Sequence, residues 1–165
     1  MCEGAHSREH IKQNLAADVL RTTGRMQLVA FGYSMLPSLW PGDQLTIEAR
    51  PFEQIRRGDV VLYARLGRLF IHRVLQVEEN RMVTRGDAMP STDVPVGRGE
   101  LMGIVTATRQ ADGSSRPVPA GSGWRRLMGL ALAHSAKLRS LALQWHATRN
   151  STTEVPVVRE LGSVG

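Results

Sequence analysis

The sequence predicts a mainly β fold: a compact, coiled antiparallel β domain with an N-terminal helix and a C-terminal amphipathic helix. Between about residues 26 and 109, short segments rich in Val, Ile and Leu recur at short intervals. Gly-Asp pairs and a Leu-Gly pair separate these segments, and such pairs favour tight turns. Short strands joined by frequent turns indicate an antiparallel sheet.

The composition is that of one ordinary globular domain. The chain has 165 residues, of which 42% are hydrophobic and 22% charged. Its net charge of +6 comes mostly from arginine, but the arginines are not interleaved with aromatic residues, so nucleic acid is not an expected partner. Cys2 is the only cysteine, which excludes an intrachain disulfide and a cysteine-based zinc site. No motif predicts a metal or another cofactor.

Neither end of the chain predicts a membrane-spanning helix. The first residues, MCEGAHSREHIKQN, are polar and lack the apolar segment of a signal peptide. The longest apolar run near the other end, LMGLALA at residues 127–133, is far shorter than the ~20 residues that cross a bilayer. We therefore expect a cytoplasmic protein that is attached, at most, to a membrane surface.

Residues 1–25 are expected to form an N-terminal helical region. Ser7 is the predicted N-cap of a helix over residues 7–22, and Gly24 ends the segment. An apolar stripe runs along this helix at helical spacing. The stripe consists of Ile11, Leu15, Val19 and Leu20.

The β domain is expected to span residues 26–109. Asp43 and Asp59 follow glycines at its predicted turns, which favours a structural role for both. The predicted strands are residues 26–31, the segment around Leu45 and Ile47, and residues 60–63, 69–77, 81–84 and 101–108.

Three further segments follow the β domain. Residues 110–123 (QADGSSRPVPAGSG) have the composition of a linker, and residues 150–165 that of a disordered tail. Residues 124–149, from Trp124 to Arg149, combine an apolar stripe with five positive charges and no acid, which predicts a basic amphipathic helix. Three placements are open for this helix: a membrane surface, a partner or its own domain.

Ser34 raises the question of catalysis because it directly follows a strand-like run, in FGYSMLPSLWPGD. A hydroxyl there is either a nucleophile with a neighbouring base or a turn serine before Pro37. Lys12 and Lys137, the only lysines, lie outside the β domain, and His72 is the only histidine within it. An imidazole accepts a proton at neutral pH, so His72 is the candidate base. The nearest later carboxylates are Asp87 and Asp93.

Four sequence blocks occur in a fixed order: GYSMLPSLWPGD, RRGDVVLY, FIHRVLQV and VTRGDAMPSTDVPV. Together they resemble the type I signal peptidase and LexA-like serine peptidase superfamily, over roughly residues 30–106. In the bacterial signal peptidases and the LexA-like proteins, the base is a lysine on a later strand. In the endoplasmic-reticulum and archaeal-type branch a His-Arg block stands there instead, and His72-Arg73 resembles that branch.

The resemblance implies a role for each site residue. Ser34 is the implied nucleophile, His72 the base and Asp93 the carboxylate that orients His72. Asp87, in the adjoining turn, is the alternative to Asp93, and some relatives work with a Ser-His dyad alone. The implied supporting residues are Asp87, Gly32, Met35 and Arg73.

The supporting residues have different expected roles. Gly32 stands where many bacterial relatives carry a serine that contributes to the oxyanion hole, so a hole here must rest on main-chain N–H groups. Met35 is expected to line the cleft or the core. Arg73 is expected to pack or pair beside the site without a direct chemical role.

The function implied by the resemblance is a serine endopeptidase that cleaves after small residues. The substrate would be a peptide or precursor protein, such as one with a leader or signal peptide, held as an added strand at a sheet edge. Signal peptidases have a spanning N-terminal anchor, for which this sequence shows no counterpart. Two other functions stay open: a non-catalytic peptide-binding or scaffold domain, suggested by Gly32, and a basic protein that binds anionic lipid or nucleic acid through residues 124–149.

Overall fold

The structure is a computed structural model that describes residues 3–109 and 114–118, together with the helical residues 127, 128, 131 and 140. The predicted β domain falls within this part of the chain. Apart from those four positions, the predicted helix over residues 124–149 lies outside the described residues, as does the predicted tail, residues 150–165.

The described part of the chain forms a helix and then a series of short strands. Helix α1 spans Glu3–Thr23, and single turns of 3₁₀ helix, Phe52–Gln54 and Arg98–Glu100, lie in the connections. The strands are β1 (Arg25–Val29), β2 (Gln44–Glu48), β3 (Val60–Arg65), β4 (Arg68–Val77), β5 (Arg81–Arg85), β6 (Val96–Gly97), β7 (Leu101–Arg109) and β8 (Ser115–Pro117).

The strands form one antiparallel sheet, which confirms the predicted mainly β class. Their order is β1-β2-β7-β3-β4-β5-β6, and β8 pairs with β7. The register shifts in the β2–β7, β3–β7 and β4–β5 pairs. Such bulges bend a strand and increase its local twist.

Two of the strand edges that lack a strand partner among the described residues border the same cavity. β1 stands at one end of the strand order. β4 pairs with β5 only from Arg73 onward, so residues 68–72 are paired with β3 alone. Residues from both edges line one cavity together with Ser34 and His72. The fold therefore places a space between two open edges next to these two side chains.

The core lies on both faces of the sheet, and β3 explains why. Successive side chains of a strand point to opposite faces. Leu62 belongs to one core cluster, which also buries Leu20 of α1, whereas Val61 and Tyr63 belong to the other. β3 is therefore a central strand with apolar residues on both sides, and this accounts for its continuous run VVLYA.

The predicted strands are present, with ends within two residues of those observed. The sequence does not predict β6 or β8. β6 has only two residues, too few to show alternation, and all three residues of β8 are exposed, so no apolar pattern marks it. β8 lies inside the segment predicted to be a linker. Residues 115–117 thus extend the sheet instead of leaving it.

Helix α1 ends where the sequence predicts but begins earlier. Gly24 has φ +71°, which favours glycine, and its N–H donates to the Leu20 carbonyl at 2.9 Å. The predicted N-cap, Ser7, is wrong because the helix begins at Glu3 and Ser7 lies within it. Leu15, on the same predicted stripe as Leu20, is 63% exposed, whereas Leu20 is 3% exposed. The stripe therefore does not enter the core as one unit.

Candidate active site

The three residues implied to carry the chemistry come from three separate segments. Ser34 lies on the bend that joins β1 to β2, His72 lies in β4, and Asp93 lies between β5 and β6. His72 is 38 positions from Ser34 and 21 from Asp93 along the chain. The fold brings all three side chains together.

The bend that carries Ser34 is held by its backbone and by buried side chains. The Met35 carbonyl accepts hydrogen bonds from the N–H groups of Ser38 at 2.9 Å and Leu39 at 3.0 Å. Met35 and Leu39 both belong to the core cluster that contains Leu62. Ser34 is half-buried between an exposed Tyr33 and the buried Met35, so its hydroxyl sits at the surface of a fixed bend.

Gly32 begins this bend in a left-handed conformation, with φ +80°. A Cβ atom built on Gly32 would meet no heavy atom within 4 Å. Backbone conformation, and not crowding, therefore favours glycine here. The position carries no side-chain hydrogen-bond donor for the site.

The loop after β5 packs directly on Ser34. The Ala88 N–H donates to the Ser34 carbonyl at 2.8 Å. A Cβ atom on Gly86 would lie 2.5 Å from the Ser34 carbonyl oxygen and 3.0 Å from the Ser34 Cβ. Any side chain at Gly86 would therefore force the loop or the serine to move.

Hydrogen bonds join the three residues in a line. His72 Nε2 lies 3.1 Å from Ser34 Oγ, and His72 Nδ1 lies 2.7 Å from Asp93 Oδ2. An ionised carboxylate can only accept hydrogen bonds, so Nδ1 carries the proton and donates to Asp93. In the neutral ring, Nε2 is then unprotonated and faces the Ser34 hydroxyl. This is the tautomer in which His72 can take the hydroxyl proton.

The hydrogen bonds that Asp93 accepts from His72 and Thr84 hold its carboxyl group in the ionised form. Thr84 Oγ1 donates to Asp93 Oδ2 at 2.7 Å, and the Asp93 N–H donates to the Thr84 carbonyl at 2.9 Å. Burial raises the pKa of Asp93, but hydrogen bonds from His72 and then Thr84 outweigh it and lower the pKa below its ordinary value. The carboxylate can therefore orient the imidazole and stabilise an imidazolium.

Asp87, the other candidate partner of His72, contacts Arg73 instead. Arg73 donates from Nε to Asp87 Oδ1 and from Nη2 to Asp87 Oδ2, both at 2.8 Å. Ser38 Oγ donates to Asp87 Oδ2 at 2.5 Å, and Arg73 Nη1 donates to the Gly58 carbonyl at 2.8 Å. The side chains of Arg73 and Asp87 are 6% and 12% exposed. This buried pair ties β4 to the serine bend and to the loop after β5.

Two aromatic rings pack beside His72. Tyr63 and Phe70 stack, with ring centroids 5.3 Å apart and an interplanar angle of 15°. Each ring centroid lies 6.2 Å from that of His72, at 65° for Tyr63 and 56° for Phe70. Burial, followed by the charge of Asp93, raises the pKa of Tyr63 to about 12, so its phenol stays neutral. The two rings form an apolar wall that limits movement of the imidazole.

Ser34 and His72 open into a cleft of about 870 Å³. Leu28 and Ala30 line it on the β1 side, and Leu69 and Ile71 line it on the β4 side. A concave apolar pocket beside a few polar groups is the usual form of a binding site. The cleft is also lined by Leu15, Ala16 and Val19 of α1. Among the described residues, no group of three or more His, Cys, Asp or Glu side chains could hold a metal ion.

Sequence reasoning does not identify several residues that contact the site or the Arg73–Asp87 pair beside it. Gly86 is recognised only as part of a turn, since its close approach to Ser34 involves a residue far away in sequence. Thr84 and Phe70 are recognised only as strand residues. The only signal in the sequence that could have identified these residues is that they lie close along the chain to predicted site residues. The missed residues are Ser38, Tyr63, Phe70, Thr84 and Gly86.

Comparison with known proteins found no family model that matches this chain and no curated protein that matches it. Within the part of the chain that the structure describes, no helix has both the length and the apolar character needed to span a bilayer. The geometry of the site is therefore the basis for assigning a function.

Proposed function

We propose that this protein is a serine endopeptidase in which Ser34 is the nucleophile, His72 the general base and Asp93 the carboxylate that orients His72. The observation that carries the proposal is the line of hydrogen bonds through these residues, at 3.1 Å and 2.7 Å. The same line supports a signal peptidase and LexA-like catalytic core, because the blocks that resemble this superfamily supply all three residues.

In the first step, Ser34 Oγ bonds to the carbonyl carbon of the scissile peptide bond. His72 Nε2 removes the hydroxyl proton as this bond forms, and Asp93 stabilises the resulting imidazolium. His72 then gives the proton to the leaving amine nitrogen, and the C–N bond breaks. The acyl group stays on Ser34 until water, deprotonated by His72, attacks its carbonyl carbon. The bond from this carbon to Ser34 Oγ then breaks, His72 returns the proton to Oγ, and the product leaves with a new carboxyl group.

The tetrahedral oxyanion needs hydrogen-bond donors. The Ser34 and Met35 N–H groups adjoin the nucleophile, and they make no hydrogen bond to an acceptor among the described residues. Main-chain N–H groups are a common source of oxyanion stabilisation in acyl transfer. Since Gly32 supplies no side-chain donor, the proposed hole rests on the main chain alone.

The substrate we propose is an extended peptide segment. β1 and residues 69–72 of β4 have open edges on the cleft, and their main-chain groups can pair with an added strand. The resemblance implies small residues at the scissile bond. The leader or signal peptide of a precursor protein has this character.

The test uses the full chain, a serine-reactive fluorophosphonate probe and a peptide library whose cleavage sites are read by mass spectrometry. We expect a covalent adduct on Ser34 and cleavage after small residues. Both should be lost in Ser34→Ala and His72→Ala. Ser38→Ala is the matched control because Ser38 lies on the same bend but pairs with Asp87, so this variant should keep the adduct. Undiminished cleavage by both Ser34→Ala and His72→Ala would end the proposal.

A non-catalytic peptide-binding domain with the same fold is the second candidate function. Gly32 favours it, because that position offers no side-chain donor to an oxyanion. This candidate predicts binding of extended peptides to the open edges with no acyl adduct under any condition. A trapped adduct on Ser34 would exclude it.

A further inference from the structure

Helix α1 carries two adjacent apolar rows that differ in burial. Ala16 and Leu20 are one turn apart and are 5% and 3% exposed, so this row anchors the helix in the core, and Ala16 also borders the cleft. Leu15 and Val19 are also one turn apart, and both line the cleft that holds Ser34. Leu15 is 63% exposed. The second row is therefore presented to the cleft and not to the core.

The position of this second row is set by tight connections. Gly24 alone separates α1 from β1, the strand on the edge of the cleft. The Gly24 N–H donates to the Leu20 carbonyl at 2.9 Å, and the Gly24 carbonyl accepts from the Ala49 N–H at 2.8 Å. α1 also contacts β4, the strand on the other side of the cleft. The helix thus forms a wall whose distance from both edges is fixed by the fold.

We propose that Leu15 and Val19 are specificity-determining residues that select an aliphatic side chain of the bound peptide. This rests on the proposed function, since a peptide is the occupant. The row shares the cleft with both Ser34 and His72, so a peptide that reaches the nucleophile also passes α1.

The chemistry of the other walls agrees with an aliphatic occupant. Leu28 of β1 and Leu69 and Ile71 of β4 line the same cleft. A leucine, isoleucine or valine side chain would bury its surface against them, whereas a serine would gain no such contact. Discrimination of this kind by an apolar pocket is about 10-fold or more in kcat/KM. The selected position is distinct from the small residue at the scissile bond.

The test compares pairs of peptides that differ only by leucine or serine at one position, after the library has located that position. The measured quantity is the ratio of kcat/KM for the two peptides. We expect a ratio of about 10 in the unmodified chain, and a ratio near 1 in Leu15→Asn and Val19→Asn. Ala17→Asn is the matched control because Ala17 is exposed on the same helix and does not line the cleft. A ratio within one preparation is insensitive to the folded fraction.

Each outcome is decisive. A ratio that stays near its original value in both Leu15→Asn and Val19→Asn overturns the role of α1, as does an equal loss in Ala17→Asn. The absence of any aliphatic preference in the unmodified chain overturns it too. If the fluorophosphonate probe labels Ser34 in those cases, the peptidase proposal survives. If the unmodified chain forms no adduct and cleaves no peptide, both proposals fail.

Discussion

Two hydrogen-bonded sets, each with a serine, a basic side chain and an aspartate, are built from the same three segments of this molecule. In each set the serine comes from the bend after β1, the base from β4 and the aspartate from the loop after β5. The cleft set is Ser34, His72 and Asp93, and the buried set is Ser38, Arg73 and Asp87.

The two sets differ because neighbouring residues of a strand point to opposite faces. His72 and Arg73 are adjacent in β4, so one meets the cleft and the other the interior. An imidazole exchanges protons near neutral pH, whereas a guanidinium stays charged. The cleft set is therefore suited to proton transfer, and the buried set to holding segments together. Mutations should separate activity from stability along this division.

The largest expected effect is the loss of activity on changing the carboxylate of the cleft set. Asp93→Asn keeps the size of the side chain but removes the charge that orients His72, so kcat/KM should fall on the order of 10³- to 10⁴-fold. The free energy of unfolding should change much less than the activation free energy of cleavage does. Peptide cleavage and urea denaturation measure the two quantities, with the exposed Asp18→Asn as control. If Asp93→Asn kept its activity, the assignment of proton transfer to the cleft set would be wrong.

The next effect is on stability, from the buried set. Arg73→Met leaves the buried carboxylate of Asp87 without its charged partner and should lower the free energy of unfolding by about 3–5 kcal/mol. The double variant Arg73→Met with Asp87→Leu should regain part of this loss. Urea denaturation measures both. If Arg73→Met lowered the free energy of unfolding by less than about 1 kcal/mol, the Arg73–Asp87 pair would contribute no more than an exposed ion pair.

A smaller effect is expected where the two sets meet, at Gly86. The Cβ of Gly86→Ala would press on the Ser34 carbonyl and displace the hydroxyl from His72, so labelling by the fluorophosphonate probe should slow by about 10²-fold. Gly99→Ala is the matched control because its Cβ would meet nothing within 4 Å. Equal labelling rates for the two variants would contradict this role.

The smallest expected effect is a pH dependence of stability. Since the pKa of Asp93 is lower in the folded chain than its ordinary value, its contribution is fully present above about pH 4 and disappears as the pH falls through the folded value. The difference in unfolding free energy between the unmodified chain and Asp93→Asn should therefore shrink in acid. Urea denaturation from about pH 7 to about pH 3 measures it. A difference that stays constant over this range would mean that the carboxylate is not stabilised by its contacts.

Local patterns predict much of the fold, but they miss features that leave no pattern in adjacent residues. The strand over residues 60–63 and the end of the helix at Gly24 are encoded by adjacent residues, and both are found as predicted. β8 is not predicted because its three residues are exposed and show no apolar pattern. The contact of Gly86 with Ser34 is not predicted because the two residues are far apart in sequence. Leu15 shows the same limit: helical spacing identifies an apolar row, but only packing shows what that row faces.

The sequence by itself determined the chemical inventory of the candidate site. One histidine and no lysine lie in the β domain, so His72 is the single candidate there among the usual bases for a serine, and no folding arrangement of that domain could supply another histidine or lysine. Only the tertiary structure decided which carboxylate meets this base. Asp87 and Asp93 follow within one loop, and residue type does not distinguish them. Their contacts distinguish them. Asp93 forms a backbone hydrogen bond with Thr84, whereas Asp87 pairs with Arg73, and these contacts fix where each side chain lies.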